Sequence, residues 1–344
     1  MRDSDADDTE TFPSATGILT RLACERARRE GVEVDSLLRE AGLTHQQIDD
    51  PCARLDVKSQ IKFLELAATA LKDECLGFHL AQKCDLRVIG LLHYVLASSD
   101  TLGEALQRGV RYSAIVNEGI ALKFREGNDV TINIEYVGIA RHSDRHQIES
   151  FMVTLVRTCR QLTNRHLLPS RVSFIHRRSE DTSEFNAFFG SDVTFGAAVD
   201  EVAFSTSIRQ MPVVGADPYL NELLLKYCQE ALADRPTKRS SFGSRVENVI
   251  ALHLPHGEAR VGEIARRLGV SQRTLARRLS SEGLTFAGVL QRLKSDLAKR
   301  HLADETLSIS EIAWLVGYQD VSAFTHAFKR WTGRAPGAIR QVSR

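Results

Sequence analysis

Two stretches of the sequence, VGEIARRLGVSQRTLARRL (Val261–Leu279) and ISEIAWLVGYQDVSAFTHAF (Ile309–Phe328), follow one pattern 48 residues apart. Ile264 matches Ile312, Ala265 matches Ala313, Leu268 matches Val316 and Gly269 matches Gly317. In each, apolar residues recur at helical spacing, the pattern stops at the glycine, and a second helical pattern follows within a few residues. A small alanine lets two helices cross closely, and glycine adopts a backbone conformation that is costly for other residues. These are the features of a helix-turn-helix corner. Ser308 and Glu311 add the S-x-x-E spacing of a capping box, which marks a helix start in the second copy.

A single corner with a glycine is an ordinary event in helical proteins. Two corners joined by the amphipathic segment TFAGVLQRLKSDLAKRHL constrain the fold much further. A helix of ~18 residues spans ~27 Å, the order of the ~34 Å that separates successive major-groove segments on one face of DNA. The spacing therefore predicts an all-α domain in which a linker helix holds two helix-turn-helix units.

Charge divides along the same line. From Glu258 to Arg344 there are 15 lysines and arginines against 8 acidic residues, a net of +7, and the chain before it carries 30 against 36, a net of −6. Such asymmetry suits one end that meets a polyanion, although a solvated basic face would look similar. The six cysteines are scattered without a C-x-x-C pair, which fits reduced thiols better than a disulfide framework or zinc site. The acidic start, MRDSDADDTE, is the reverse of a secretory signal, and VIGLLHYVLA is far short of the ~20 residues needed to span a bilayer. A cytoplasmic protein with no membrane association is expected.

With 344 residues, 43% of them hydrophobic, the chain can build two cores. Residues 1–13 read as a disordered tail. Helical patterns follow, including SATGILTRLACERARRE with Ser14 as a cap, DVKSQIKFLELAATALK with Val57, Ile61, Leu64 and Ala68 on one face, and TLGEALQRGVRYSAIV. GIALKFREGNDVTINIEYV alternates around a Gly127–Asn128 turn and predicts a β-hairpin. DRHQIESFMVTLVRTCRQLTN predicts a long helix with Ile148, Met152, Leu155, Cys159 and Leu162 on one stripe, and RVSFIHR, VTFG and EVAFST predict short strands. The fold expected is an α+β N-terminal domain, a small sheet covered by helices, ahead of the all-α domain. DPYLNELLLKYCQEALAD predicts a helix with Leu220, Leu224, Tyr227 and Ala231 on one side, which could pair between subunits or pack on its own domain. The polar stretch DRPTKRSSFGS carries linker signals, which places an effector or dimerisation domain at 14–234, a linker at 235–243 and a DNA-binding domain at 244–344.

The last ~90 residues resemble the DNA-binding domain of AraC/XylS-type bacterial transcription regulators. The resemblance lies in ISEIAWLVGYQDVSAFTHAFKRWTGRAPGAIR, with Gly317, Phe324, Phe328, Lys329, Gly333, Pro336 and Arg340 in register; Ile339 stands where an aromatic residue is common. FNAFFGSDVTFGAAVDEVAFSTSIRQMPVVGADPYL resembles the ornithine-regulator-like, arabinose-binding-type branch. The family resemblance implies double-stranded DNA as partner, a small-molecule effector of unassigned identity, a homodimer, and RNA polymerase as a candidate contact. No cofactor and no metal are expected.

In the first unit Leu268, Val270, Leu275 and Leu279 are expected in the core, leaving Gln272, Arg273, Thr274, Ala276, Arg277 and Arg278 for DNA. Arginine can bond guanine O6 and N7 in pairs or grip phosphates; the resemblance puts Arg273, Ala276 and Arg277 at positions that often face bases. In the second, Phe324 and Phe328 anchor the helix with help from Trp331. Gln319, Asp320, Ser322, Thr325, His326, Lys329 and Arg330 then face outward, and hydroxyls near a helix start suit phosphate contacts that position without specifying sequence. The first unit is thus expected to discriminate more than the second. No P-loop, dinucleotide glycine fingerprint or G-x-S-x-G elbow is present, and His142 and His146 lack the glutamate of H-E-x-x-H, reading instead as surface residues at a helix start. His176 reads as a hydrogen-bonded core residue in a strand. No catalytic residue is expected. The alternative to effector control is a constitutive DNA-binding regulator whose N-terminal domain only dimerises.

Overall fold

The computed structural model describes residues 13–137, 144–178, 181–233, 242–255, 259–303 and 307–342. These fall into two compact units, one ending with residue 233 and the other beginning with residue 242. The expected tail lies outside the described residues except for Pro13, which is buried and accepts a hydrogen bond from the Val57 amide through its carbonyl. The expected linker lies outside them except for Phe242 and Gly243, which already form the first helix of the second unit.

The first unit opens with β1 (Ser14–Ala15), α1 (Ile18–Arg29), α2 (Val34–Ala41), α3 (His45–Asp49), β2 (Leu55–Asp56), α4 (Val57–Leu71) and α5 (Leu76–Lys83). Ser14 does not cap α1. It pairs with Asp56 in a two-stranded ribbon, while its amide and hydroxyl donate to the Glu118 carboxylate at 3.0 Å; Gly17 occupies the cap position. Val57, Ile61, Leu64 and Ala68 are buried along α4 as the periodicity predicts. α6 (Leu91–Ala97) and α7 (Leu102–Tyr112) lead into the hairpin of β3 (Ile120–Glu126) and β4 (Asp129–Tyr136), which turns at Gly127–Asn128.

The long α8 (Arg145–Thr163) is followed by β5 (Arg171–Phe174), α9 (Ser183–Phe189), β6 (Val193–Phe195), β7 (Asp200–Ser205) and α10 (Pro218–Ala233). Five strands form one sheet in the order β3-β4-β7-β5-β6, antiparallel except for β5 with β6. Ile148, Met152, Val153, Val156 and Cys159 of α8 share a core with Ile132, Val172, Val202 and Phe204 of the sheet. This is the α+β arrangement expected. His176 lies just past β5 rather than within a strand, and His146 is buried rather than on the surface because α8 meets α5 there, its Nδ1 3.5 Å from the Gly77 amide. Burial pushes the His146 imidazole below its ordinary pKa. His142 lies outside the described residues.

α10 presents a different face from the one its leucines suggest. Asn221 and Cys228 are buried, with the Asn221 amide donating to the Val95 carbonyl at 2.8 Å and to Ser98 Oγ at 2.9 Å. Leu224 and Ala231 pack partly on their own unit, whereas Leu220 and Tyr227 are exposed together with Tyr219 and Leu223. A polar anchor, rather than the apolar stripe, sets the rotation of this helix.

The second unit comprises α11 (Phe242–His253), α12 (Val261–Arg267), α13 (Gln272–Ser280), α14 (Phe286–Ala303), α15 (Ile309–Leu315), α16 (Val321–Thr332) and α17 (Pro336–Val342). Two cores divide along α14. Val289 and Leu293 join Ile264, Ala265, Leu275 and Leu279, while Ala298 and Leu302 join Ile312, Ala313, Phe324 and Phe328; Leu297 touches both. One helix therefore carries both corners.

Candidate nucleic-acid interface and an internal cavity

Both corners turn on a glycine with positive φ, +67° at Gly269 and +75° at Gly317. Ser271 caps α13, its hydroxyl accepting from the Thr274 amide, and Asp320 caps α16, its carboxylate accepting from the amides of Ser322 and Ala323. The capping box of Ser308 and Glu311 forms in full at the start of α15. Local chemistry thus fixes the entry of each helix before packing orients it.

Leu275 and Leu279 point α13 into the core, so Gln272, Arg273, Ala276, Arg277 and Arg278 are exposed and Thr274 is half-buried. These residues differ in what else they touch. Arg278 lies over the Phe242 ring at 5.3 Å, a packing contact within the unit. The Gln272 amide leans over Gly262 of the preceding helix. Arg266 and Arg267 of α12 are both drawn to Glu263, at 2.7 Å each. Arg273 and Arg277 have no such intramolecular partner among the described residues and are the cations of this corner most available to a ligand.

On α16, Phe324, Ala327 and Phe328 are buried, and Ser322, His326, Lys329 and Arg330 are exposed beside a half-buried Thr325. Gln319 and Asp320 are exposed at the turn, but the Asp320 carboxylate is engaged as the cap. Lys294 of α14 approaches this corner from inside. Its ammonium sits 4.2 Å from the Tyr318 ring centroid and 3.4 Å from the Gly317 carbonyl, and burial pushes its pKa down. That lysine stabilises the turn rather than offering charge outward. Arg334, exposed in the turn after Gly333, adds a cation that the sequence reading did not include; only its place beyond the helix end signalled it.

The first unit contains a partly open cavity of about 180 Å³ bounded by α1, α4, α5, α6, α7, β3, β4 and α8. Leu19, Leu92, Leu106, Ile132, Phe151 and Leu155 supply apolar walls, and none of the lining residues is Asp, Glu, Lys, Arg or His. Its polar edge belongs to a buried chain. Thr20 Oγ1 donates to Gln60 Oε1 at 3.2 Å, Gln60 Nε2 to Gln147 Oε1 at 2.8 Å, and Gln147 Nε2 to the Tyr136 hydroxyl at 3.1 Å. The lining is not legible in the sequence, because the walls come from elements far apart in the chain.

A second buried cluster is structural. Glu149, with no exposed surface, accepts from Arg178 Nε at 2.8 Å and Nη2 at 3.0 Å and contacts His176 Nε2 at 2.8 Å. Burial alone would raise the Glu149 carboxyl, but the His176 bond and the charges of His176 and Arg178 hold it down at about 2. Among the described residues no cluster of His, Cys, Asp and Glu could hold a metal, and no helix is long and apolar enough to cross a membrane.

Two family profiles match the chain, the N-terminal arabinose-binding domain of AraC transcription regulators over residues 31–213 and a helix-turn-helix domain over residues 264–341. The ornithine utilization regulator of Pseudomonas aeruginosa is 26% identical over 314 residues, covering 91% of this chain and 92% of that protein. The transcriptional regulator VirS of Mycobacterium tuberculosis is 25% identical over 302 residues, 87% of each. The solved structure of the transcriptional regulator CdpR from Pseudomonas aeruginosa is 23% identical, covering 90% of this chain and 96% of that one with a TM-score of 0.44.

Proposed function

The chain belongs to the AraC-type transcription regulators, DNA-binding proteins with an arabinose-binding-type N-terminal domain and a helix-turn-helix region, and on that premise we propose how its parts divide the work. The two corners enter successive major-groove segments of promoter DNA, held apart by α14. Arg273 and Arg277 read base edges in the first segment, with Ala276 offering apolar contact between them. Ser322, Thr325, His326, Lys329 and Arg330 grip the backbone around the second, fixing register more than sequence. The observation that carries this division is the pair of exposed arginines on α13 without partners among the described residues, set against an α16 whose outward groups are mostly hydroxyls and terminal cations. Binding-site selection with Arg277→Ala tests it. Preference at one base pair should relax, and undiminished preference at every position would remove the assignment.

The N-terminal unit binds a small effector whose differential affinity for two states of the protein alters operator binding. A largely apolar, partly open cavity with a few polar groups at one edge supports that reading over a unit that only dimerises. The name of the Pseudomonas relative concerns ornithine for that protein; a cavity without counter-charges gives ornithine no matching partner here, so the effector is not carried over. Self-association is a further part of the proposal, supported by Tyr219, Leu220, Leu223 and Tyr227 standing exposed along one side of α10. Sedimentation of Leu223→Glu should show a monomer where the parent chain is a dimer; an unchanged state would place any dimer contact elsewhere.

A further inference from the structure

We infer that the cavity of the first unit takes a neutral, mainly apolar small molecule carrying one hydrogen-bond acceptor, and that Gln60 and Gln147 receive that acceptor. The inference rests on the effector reading above and names the chemistry of its ligand.

Three observations carry it. First, the lining includes no Asp, Glu, Lys, Arg or His, so a carboxylate or ammonium buried there would meet no counter-charge. Desolvating an unpaired charge costs several kcal/mol, a cost that a neutral ligand of the same apolar size does not incur. Second, about 180 Å³ exceeds the ~150 Å³ of an apolar cavity known to accept benzene, so a ligand of that order or somewhat larger fits. Third, the polar edge is built for donation. A side-chain amide nitrogen carries two hydrogens, and Gln60 Nε2 and Gln147 Nε2 each use one within the buried chain. Gln60 Oε1 and Gln147 Oε1 are both already accepting. The remaining hydrogens favour a carbonyl or hydroxyl oxygen on the ligand.

Gly109 supplies a test that leaves the backbone in place. It lies in α7, lines the cavity, and a Cβ added there meets only Leu96 Cδ2 at an ordinary 3.6 Å. Isothermal calorimetry on the full chain would compare 1-octanol and 2-nonanone with their charged counterparts octanoate and octylammonium at pH 7.5. The neutral pair should bind at one site per chain, about 100-fold or more tighter than the charged pair. Gly109→Leu should abolish that binding while Gly109→Ala weakens it, with circular dichroism confirming that both variants fold. Octanoate or octylammonium binding as tightly as the neutral pair, and lost in Gly109→Leu, overturns the neutral-ligand assignment while leaving effector control standing. Binding untouched by Gly109→Leu, or no binding by any of the four, overturns the cavity as the site. Neutral ligands that bind in the cavity yet leave operator affinity unchanged uphold the ligand assignment and overturn effector control instead.

Discussion

Arg277 and Lys329 are both exposed cations on second helices of their corners, yet they are expected to fail differently. Arg277→Ala should cost about 1–3 kcal/mol on a preferred site and relax discrimination at one position. Lys329→Ala should weaken binding to all sequences and reduce the slope of log affinity against log salt by about one, measured by titration at several salt concentrations. Glu149 makes the corresponding argument for stability. Glu149→Gln would take the buried carboxylate away from the Arg178 guanidinium and is expected to cost about 3–5 kcal/mol in denaturant unfolding. Because the folded carboxyl is held at about 2, below its unfolded value, its contribution is complete above the unfolded pKa and is lost as pH falls from about 4.5 towards 2. The parent should lose stability across that window, and Glu149→Gln should lose less. His176 was legible as a hydrogen-bonded residue, but its partner was not, since Glu149 reaches it from α8, 27 residues earlier in the chain.

The two turns look equivalent in sequence and differ in their surroundings. A Cβ at Gly317 would come within 2.7 Å of the Leu254 carbonyl oxygen, whereas one at Gly269 would meet nothing within 4 Å. Gly269→Ala should therefore carry only the left-handed backbone cost of about 1–2 kcal/mol. Gly317→Ala should cost clearly more and lower the midpoint of thermal unfolding further; equal losses would show that the contact with Leu254 relaxes freely. The corners were readable because their signals are local: an alanine, a glycine four residues on and a cap shortly after it. α10 was readable as a helix and misleading as a face. Leucines surround it, so periodicity could not choose a side, and Asn221 chose it through bonds to Val95 and Ser98 more than a hundred residues away.

Across the whole molecule, the change from negative to positive charge coincides with the change from an α+β unit to an all-helical one. The helical unit was largely legible because each core is assembled within about fifty residues of α14. The cavity was not, because its walls are drawn from residues between Ala15 and Leu162 and only the tertiary arrangement encloses them. α14 packs into both cores, and on the proposed reading it is a rigid spacer that sets two recognition helices about one DNA turn apart. The most direct test is the affinity of the full chain for its selected operator after 5 bp are inserted between the two segments that one protomer contacts. Half a turn of rotation should take the second corner off its groove, with affinity falling towards the non-specific level and footprint protection surviving over one segment alone. Unchanged affinity, with both segments still protected, would contradict a fixed spacing.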